Sequence, residues 1–126
     1  MGEEKEYLEL KDLEAYQLAR EYGRLCWMIF EKMGWHTKKI LGDQTIRSVD
    51  SVGANIAEGY GRFHYKDKNK FYYNARGSLL ESKHWMEVLE ERRVIHKDLF
   101  LRIIEIADSI QPKLNGLIRS QYNRSQ

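Results

Sequence analysis

Four segments of helical periodicity, short connections between them and no alternation at the two-residue period of a strand point to an all-α protein. Long helices joined by short links pack as antiparallel neighbours, so the economical architecture is an up-and-down four-helix bundle. The 126 residues suit one domain, 1–126, rather than two. Hydrophobic residues make up 42% and charged residues 32%, enough for a core under a heavily charged surface. Three tryptophans, eight tyrosines and four phenylalanines are too many for a disordered chain.

The first helix is predicted over about 10–33. Leu18, Tyr22, Leu25, Ile29 and Met33 recur at steps of three and four, and Gly34 reads as the stop. The second is predicted over about 43–58, with Asp43 as N-cap, Gly59 as the glycine beyond the end, and a stripe of Ile46, Val49, Val52 or Gly53, and Ile56. The third is predicted over about 67–91 from Asp67, with Phe71 or Tyr72, Ala75, Leu79, Ser82, Met86 and Leu89 on its inner face. The fourth is predicted over about 98–120. Leu99, Ile103, Ile106, Ile110, Leu114 and Leu117 form its stripe, and Pro112 inside it predicts a kink or break.

Two helices carry apolar residues off their main stripe. Tyr16, Cys26, Trp27 and Phe30 do so on the first, and Phe100, Ile104, Ala107 and Ile118 on the fourth. One small bundle buries one stripe per helix, so this surplus predicts self-association.

Candidate chemistry is sparse. The single cysteine, Cys26, excludes an internal disulfide and a cysteine zinc cage, and its apolar helix argues for a buried thiol. Glu81 and His84 share a helix face, as di-iron bundles require, but such a site needs a second such pair and two more glutamates. Gly59-Tyr60-Gly61 begins like a dinucleotide loop, yet it follows a helix and His64 holds the third glycine position. No metal, cofactor or catalytic group is expected, and the chain reads as a non-enzyme. It shows no membrane-length apolar run and no signal-peptide pattern, so a cytoplasmic location is expected.

Charge layout is more informative than the net +2. From Tyr60 to Arg76 the basic residues Arg62, Lys66, Lys68, Lys70 and Arg76 face one acid, Asp67, a sum of +4. From Gln111 onward Lys113, Arg119 and Arg124 add +3 with no acid. Tyr60, Phe63, Tyr65, Phe71, Tyr72 and Tyr73 interleave with the cations of the first stretch. Cations neutralise phosphates and aromatic rings stack on exposed bases, so Arg62, Lys66, Lys68, Lys70, Arg119 and Arg124 are the candidate nucleic-acid contacts. The competing reading is a solvated, solubilising face, with Phe71 and Tyr72 on the core stripe.

The segment Ser51-Val52-Gly53-Ala54-Asn55-Ile56-Ala57-Glu58-Gly59-Tyr60-Gly61-Arg62, followed by Lys66-Asp67, Phe71 and Ala75-Arg76-Gly77-Ser78-Leu79-Leu80-Glu81, resembles the bacterial four-helix-bundle family encoded in intervening sequences of large-subunit (23S) ribosomal RNA genes. The accessory variability determinant proteins of diversity-generating retroelements resemble the same family. The likeness spans about Leu10 to Leu117. It implies an antiparallel bundle, subunits packed side by side in a homopentameric ring, and no enzyme activity. For the retroelement relatives it implies a basic surface for nucleic acid and a reverse transcriptase partner.

The block residues also have a structural reading. Gly59 and Gly61 suit a tight helix exit, Gly77 and Ser78 suit close helix approach, Asn55, Glu58 and Arg76 are polar groups flanking apolar positions, and Glu81 ends the structural motif. Glu58 and Arg76 are an attractive ion pair between the second and third helices. The functional expectation is weakly specific, salt-dependent binding of structured RNA or DNA by a homo-oligomer. The alternative is a protein-interaction scaffold that recruits a reverse transcriptase or a ribosome-associated factor.

Overall fold

A computed structural model describes residues 8–124, the Arg124 side chain excepted. Its four long helices are α1 (Glu14–Lys32), α2 (Asp43–Tyr60), α3 (Tyr65–Glu91) and α4 (Lys97–Arg124). No strand occurs among the described residues. Each helix packs mainly on its two neighbours, α1 on α2 and α4, and α3 on α2 and α4. The result is the square cross-section of an antiparallel bundle. Tyr22 crosses its centre, its hydroxyl 2.7 Å from Ser82 Oγ, and Ser82 in turn donates to the Leu79 carbonyl at 2.8 Å. Desolvation raises the Tyr22 pKa, so this deep hydroxyl stays protonated.

Several boundaries move from the sequence-based positions. Leu10–Asp12 is a separate 3-10 turn, closed by the Glu9 N–H donating to Asp12 Oδ2 at 3.0 Å, and α1 starts after it. A one-turn helix (Trp35–Thr37) and a π-helical turn (Lys38–Gly42) lead into α2 without a break, so Asp43 lies inside a continuous helix rather than capping one. α3 starts at Tyr65 after an extended His64, which displaces Asp67 from the N-cap role.

Pro112 does not break α4, which runs unbroken through it. The proline is exposed, so the carbonyl it leaves without a backbone donor lies on the solvent side, while Ile110 and Leu114 on either side are fully buried. The α3–α4 corner closes on Arg93 at φ 64°, with Arg93 N–H to Glu90 O at 3.0 Å and Val94 N–H to Leu89 O at 2.8 Å. This is a Schellman cap with arginine where glycine is usual.

The core face of α1 is Ala15, Ala19, Tyr22 and Cys26. The predicted Leu18, Leu25, Ile29 and Met33 flank it, half-buried. Small residues win the centre because α2 comes close: a Cβ on Gly53 would sit 3.6 Å from the Ala19 Cβ. The apolar surplus also shrinks. Cys26, Ala107 and Ile118 are core, Tyr16, Phe30, Phe100 and Ile104 are half-buried, and only Trp27 of that set is exposed.

Candidate nucleic-acid interface at one end of the bundle

The end of α2, the start of α3 and the end of α4 meet at one end of the bundle. Asn69 Nδ2 donates to the Ile118 carbonyl at 3.2 Å, which sets the Lys66–Lys70 turn of α3 level with Arg119 on α4. Arg62, Lys66, Lys70 and Arg119 all face solvent there. Phe63 is 86% exposed beside Arg62. The Arg62 guanidinium lies 4.8 Å from the Phe71 ring centroid and pairs with Glu58 at 2.6 Å. Lys70 Nζ stands 5.7 Å from the same ring. The side chain of Arg124 lies outside the described residues.

Lys68 does not belong with these contacts. It is 9% exposed, and its ammonium donates to the Tyr60 carbonyl at 2.9 Å and the Gly59 carbonyl at 3.4 Å. The last carbonyls of a helix have no partner within it, and a lysine ammonium both satisfies them and complements the negative end of the helix dipole. Lys68 is therefore a cap for α2 built into the α2–α3 junction. The signal was its spacing: Lys68 and Tyr72 are four apart on the inward face, while Lys66, Lys70 and Tyr73 fall outside it.

The block residues resolve into separate jobs. Glu58 pairs with Arg62 on its own helix end, and Arg76 donates to Asn115 Oδ1 on α4 at 3.0 Å and sits 4.9 Å from the Tyr73 ring centroid. The expected Glu58–Arg76 bridge is absent because Arg76 turns toward α4 rather than α2. Asn55 donates to the Ser51 carbonyl and Oγ, each at 2.9 Å, and Ser51 Oγ lies 2.8 Å from Ser78 Oγ across α2 and α3.

Gly59 is required by contact, not by a left-handed angle. A Cβ there would stand 2.7 Å from Tyr72 Cε1. Gly61 also has an ordinary negative φ, and Gly77 has open space where its Cβ would be, so it does not bring helices together. Glu81 accepts from Trp85 Nε1 at 3.2 Å, and His84 packs edge-on to the Trp85 ring. Among the described residues no three metal-ligating side chains cluster. The Cys26 thiol is pushed up by burial, with Asp50 adding to it, the reverse of what an activated thiolate needs.

Two surfaces escaped sequence reasoning. A pocket of about 460 Å³ at the basic end is lined by Tyr65, Lys66, Asn69, Lys70, Tyr73 and Tyr122. The Tyr73 and Tyr122 hydroxyls meet there at 2.5 Å, a contact that raises the Tyr73 pKa. Residue 122 is isolated in the sequence, and only the alignment of α4 on α3 brings it to this place. The second surface is a groove of about 630 Å³ between α1 and α2, floored by Gly23, Gly53 and Ala54 and walled by Tyr16, Trp27 and Met28. Asp50 lines it, and partial burial pushes its carboxyl up while Arg20 opposes the shift.

No helix among the described residues is long and apolar enough to cross a membrane. No curated protein matches the chain at a significant level. A crystal structure of a protein of unknown function from the S23 ribosomal protein family of Bacteroides thetaiotaomicron, at 1.70 Å, superposes with a TM-score of 0.79. It is 22% identical and the match covers 86% of this chain and 98% of that one, which establishes the shared fold. A family model described as 23S rRNA-intervening sequence protein matches residues 11–116, a span that runs from before α1 through most of α4. A match over that much of the bundle places the chain in the 23S rRNA-intervening sequence protein family.

Proposed function

We propose that the protein is a non-enzymatic, self-associating helical bundle that binds structured RNA or DNA through its basic end. One observation carries this reading: Arg62, Lys66, Lys70 and Arg119 project into solvent at one end, interleaved with the exposed rings of Phe63, Tyr73 and Tyr122. Such a surface contacts phosphates without reading sequence, so affinity is electrostatic and falls steeply with salt. The family is described by the 23S rRNA intervening sequence and the crystallographic relative by a ribosomal protein family, so structured RNA is the first probe.

Self-association is supported by two unlike surfaces on opposite sides of the square. The α1–α2 groove exposes Trp27 and Met28. Leu80 and Leu101, 70% and 53% exposed, fall on the α3–α4 seam that also carries the Arg76–Asn115 and Lys83–Asp108 contacts. Groove against seam is a head-to-tail contact, which closes into a ring when the rotation permits. Repetition of the basic end around a ring multiplies a modest affinity. The same groove favours the second reading, a scaffold that docks a partner protein such as a polymerase.

Light scattering after size exclusion, with a labelled structured RNA and a DNA duplex at two salt concentrations, tests the proposal. The expected result is an oligomer that shifts with nucleic acid, less so at higher salt. The double variant Lys66→Glu/Lys70→Glu is expected to reduce the salt slope by about two, near 0.9 per lost phosphate contact, with Lys32→Glu at the opposite end as the unaffected control. An oligomer indifferent to both nucleic acids at low salt would overturn the binding reading and favour the scaffold.

A further inference from the structure

Asn69 is the most unusual polar residue of the basic end. It is 5% exposed, and its Nδ2 is engaged by the Ile118 carbonyl. Its Oδ1 is buried and accepts no hydrogen bond from the described residues. Buried amide oxygens are almost always satisfied, because leaving one without a donor costs free energy comparable to a lost hydrogen bond.

Two tyrosines line the same pocket as this amide. Helical side chains lean toward the N-terminus of their helix, so Tyr73 leans toward Asn69 and Tyr122 toward Ile118. Their hydroxyls meet at 2.5 Å. Tyr73 is braced from its other side by the Arg76 guanidinium, which Asn115 holds. Tyr122 is 49% exposed in the last turn of α4. Opening this pair breaks the hydroxyl contact between the two tyrosines and separates their rings.

We propose that this pocket takes one unstacked nucleobase of a single strand, with its ring between Tyr73 and Tyr122, an edge N–H donated to Asn69 Oδ1, and its flanking phosphates on Lys66 and Lys70. The proposal rests on the reading of this end as a nucleic-acid surface. Every base carries an edge N–H, and every base has a face that stacks on an aromatic ring. Phosphate alone has no donor for an amide oxygen, and a duplex hides the Watson–Crick edge and the ring face, leaving only groove-edge donors that a recessed pocket between two rings does not reach. Unpaired bases in loops and ends present both, in RNA or in DNA.

The test is fluorescence anisotropy with end-labelled oligoadenylate of about 12 nucleotides, as RNA and as DNA, against a duplex of the same length, a span within the usual single-strand site size. The wild type is expected to bind at least one of the single strands several-fold more tightly than the duplex, and the tighter of the two identifies the strand. Tyr122→Ala is expected to lose about tenfold on that single strand, the scale of one stacked base, and to leave duplex binding unchanged. Tyr122→Phe keeps the ring and removes the hydroxyl bridge, so it is expected to retain or raise single-strand affinity. Asn69→Leu is expected to weaken single-strand binding alone, with its melting curve as the control for folding.

Equal binding of duplex and single strands, with Tyr122→Ala without effect on either, would overturn the pocket and leave the electrostatic surface standing. No binding of any of the three probes would overturn the pocket, and no binding of a structured RNA beside them at low salt would overturn the nucleic-acid reading as well.

Discussion

The inward and outward faces of the first turns of α3 are drawn from one basic, aromatic stretch, yet they have opposite fates. Lys68 and Tyr72 point into the α2–α3 junction, where the ammonium caps α2 and the ring lies against Gly59 at 1% exposure. Lys66, Lys70 and Tyr73, one or two positions away, face outward and line the pocket with Tyr122. Composition cannot separate the two sets, since each holds lysine and tyrosine. Helical phase separates them, and it decides which residues can be changed without unfolding the bundle.

The largest break in this comparison comes from the adjacent tyrosines. Tyr72→Ala removes a ring from the centre of the junction and is expected to cost about 3–5 kcal/mol, as for other large aromatic truncations in cores. That is a sizeable share of the about 5–15 kcal/mol that holds a domain of this size. Tyr73→Ala is expected to leave the urea midpoint in place. Equal midpoints for the two variants would mean that the phase assigned to α3 is wrong.

The glycines sharpen the same contrast by sign. In Gly59→Ala the new methyl meets Tyr72 carbons at 2.7 and 2.9 Å and the Lys68 carbonyl at 3.0 Å. Overpacking of this kind costs about 1–3 kcal/mol, from which the better helix propensity of alanine recovers at most about 1 kcal/mol. Gly77→Ala has only the propensity gain, because nothing lies within 4 Å of its Cβ position. It is expected to raise stability by about 0.5–1 kcal/mol in thermal or urea melts. A stabilising Gly59→Ala would show that Tyr72 can yield.

Much of the fold was legible because large apolar residues carried the period. Val49, Val52 and Ile56 on α2, Ala75, Leu79, Met86 and Leu89 on α3, and Ile103, Ile110 and Leu114 on α4 are all buried where their spacing placed them. The phase of α1 is masked for a physical reason: its core positions are mostly small, so the larger Leu18 and Leu25 beside them outweigh Ala15, Ala19 and Cys26 in the hydrophobic pattern. The basic end was legible as charge but not as roles. The capping function of Lys68 depends on where the α2 carbonyls end, and the pocket depends on a tertiary pairing of Asn69 with Ile118 that no local pattern encodes.

The smallest expected effect on stability concerns Glu58, the carboxylate paired with Arg62. The pair joins residues four apart at a helix end, with side chains 50% and 45% exposed. Such a pair is worth about 0.3–0.5 kcal/mol, so Glu58→Gln is expected to leave the unfolding curve nearly unchanged. Its effect should appear in binding. Loss of the carboxylate raises the charge of the basic end by one and frees the Arg62 guanidinium, so affinity for a DNA duplex or structured RNA is expected to rise about two- to threefold at low salt. The gain should fade as salt shortens the Debye length toward about 8 Å. A loss of stability well beyond the value of an exposed pair would instead assign Glu58 to the junction with Lys68 and Tyr72, on the inward side of the comparison.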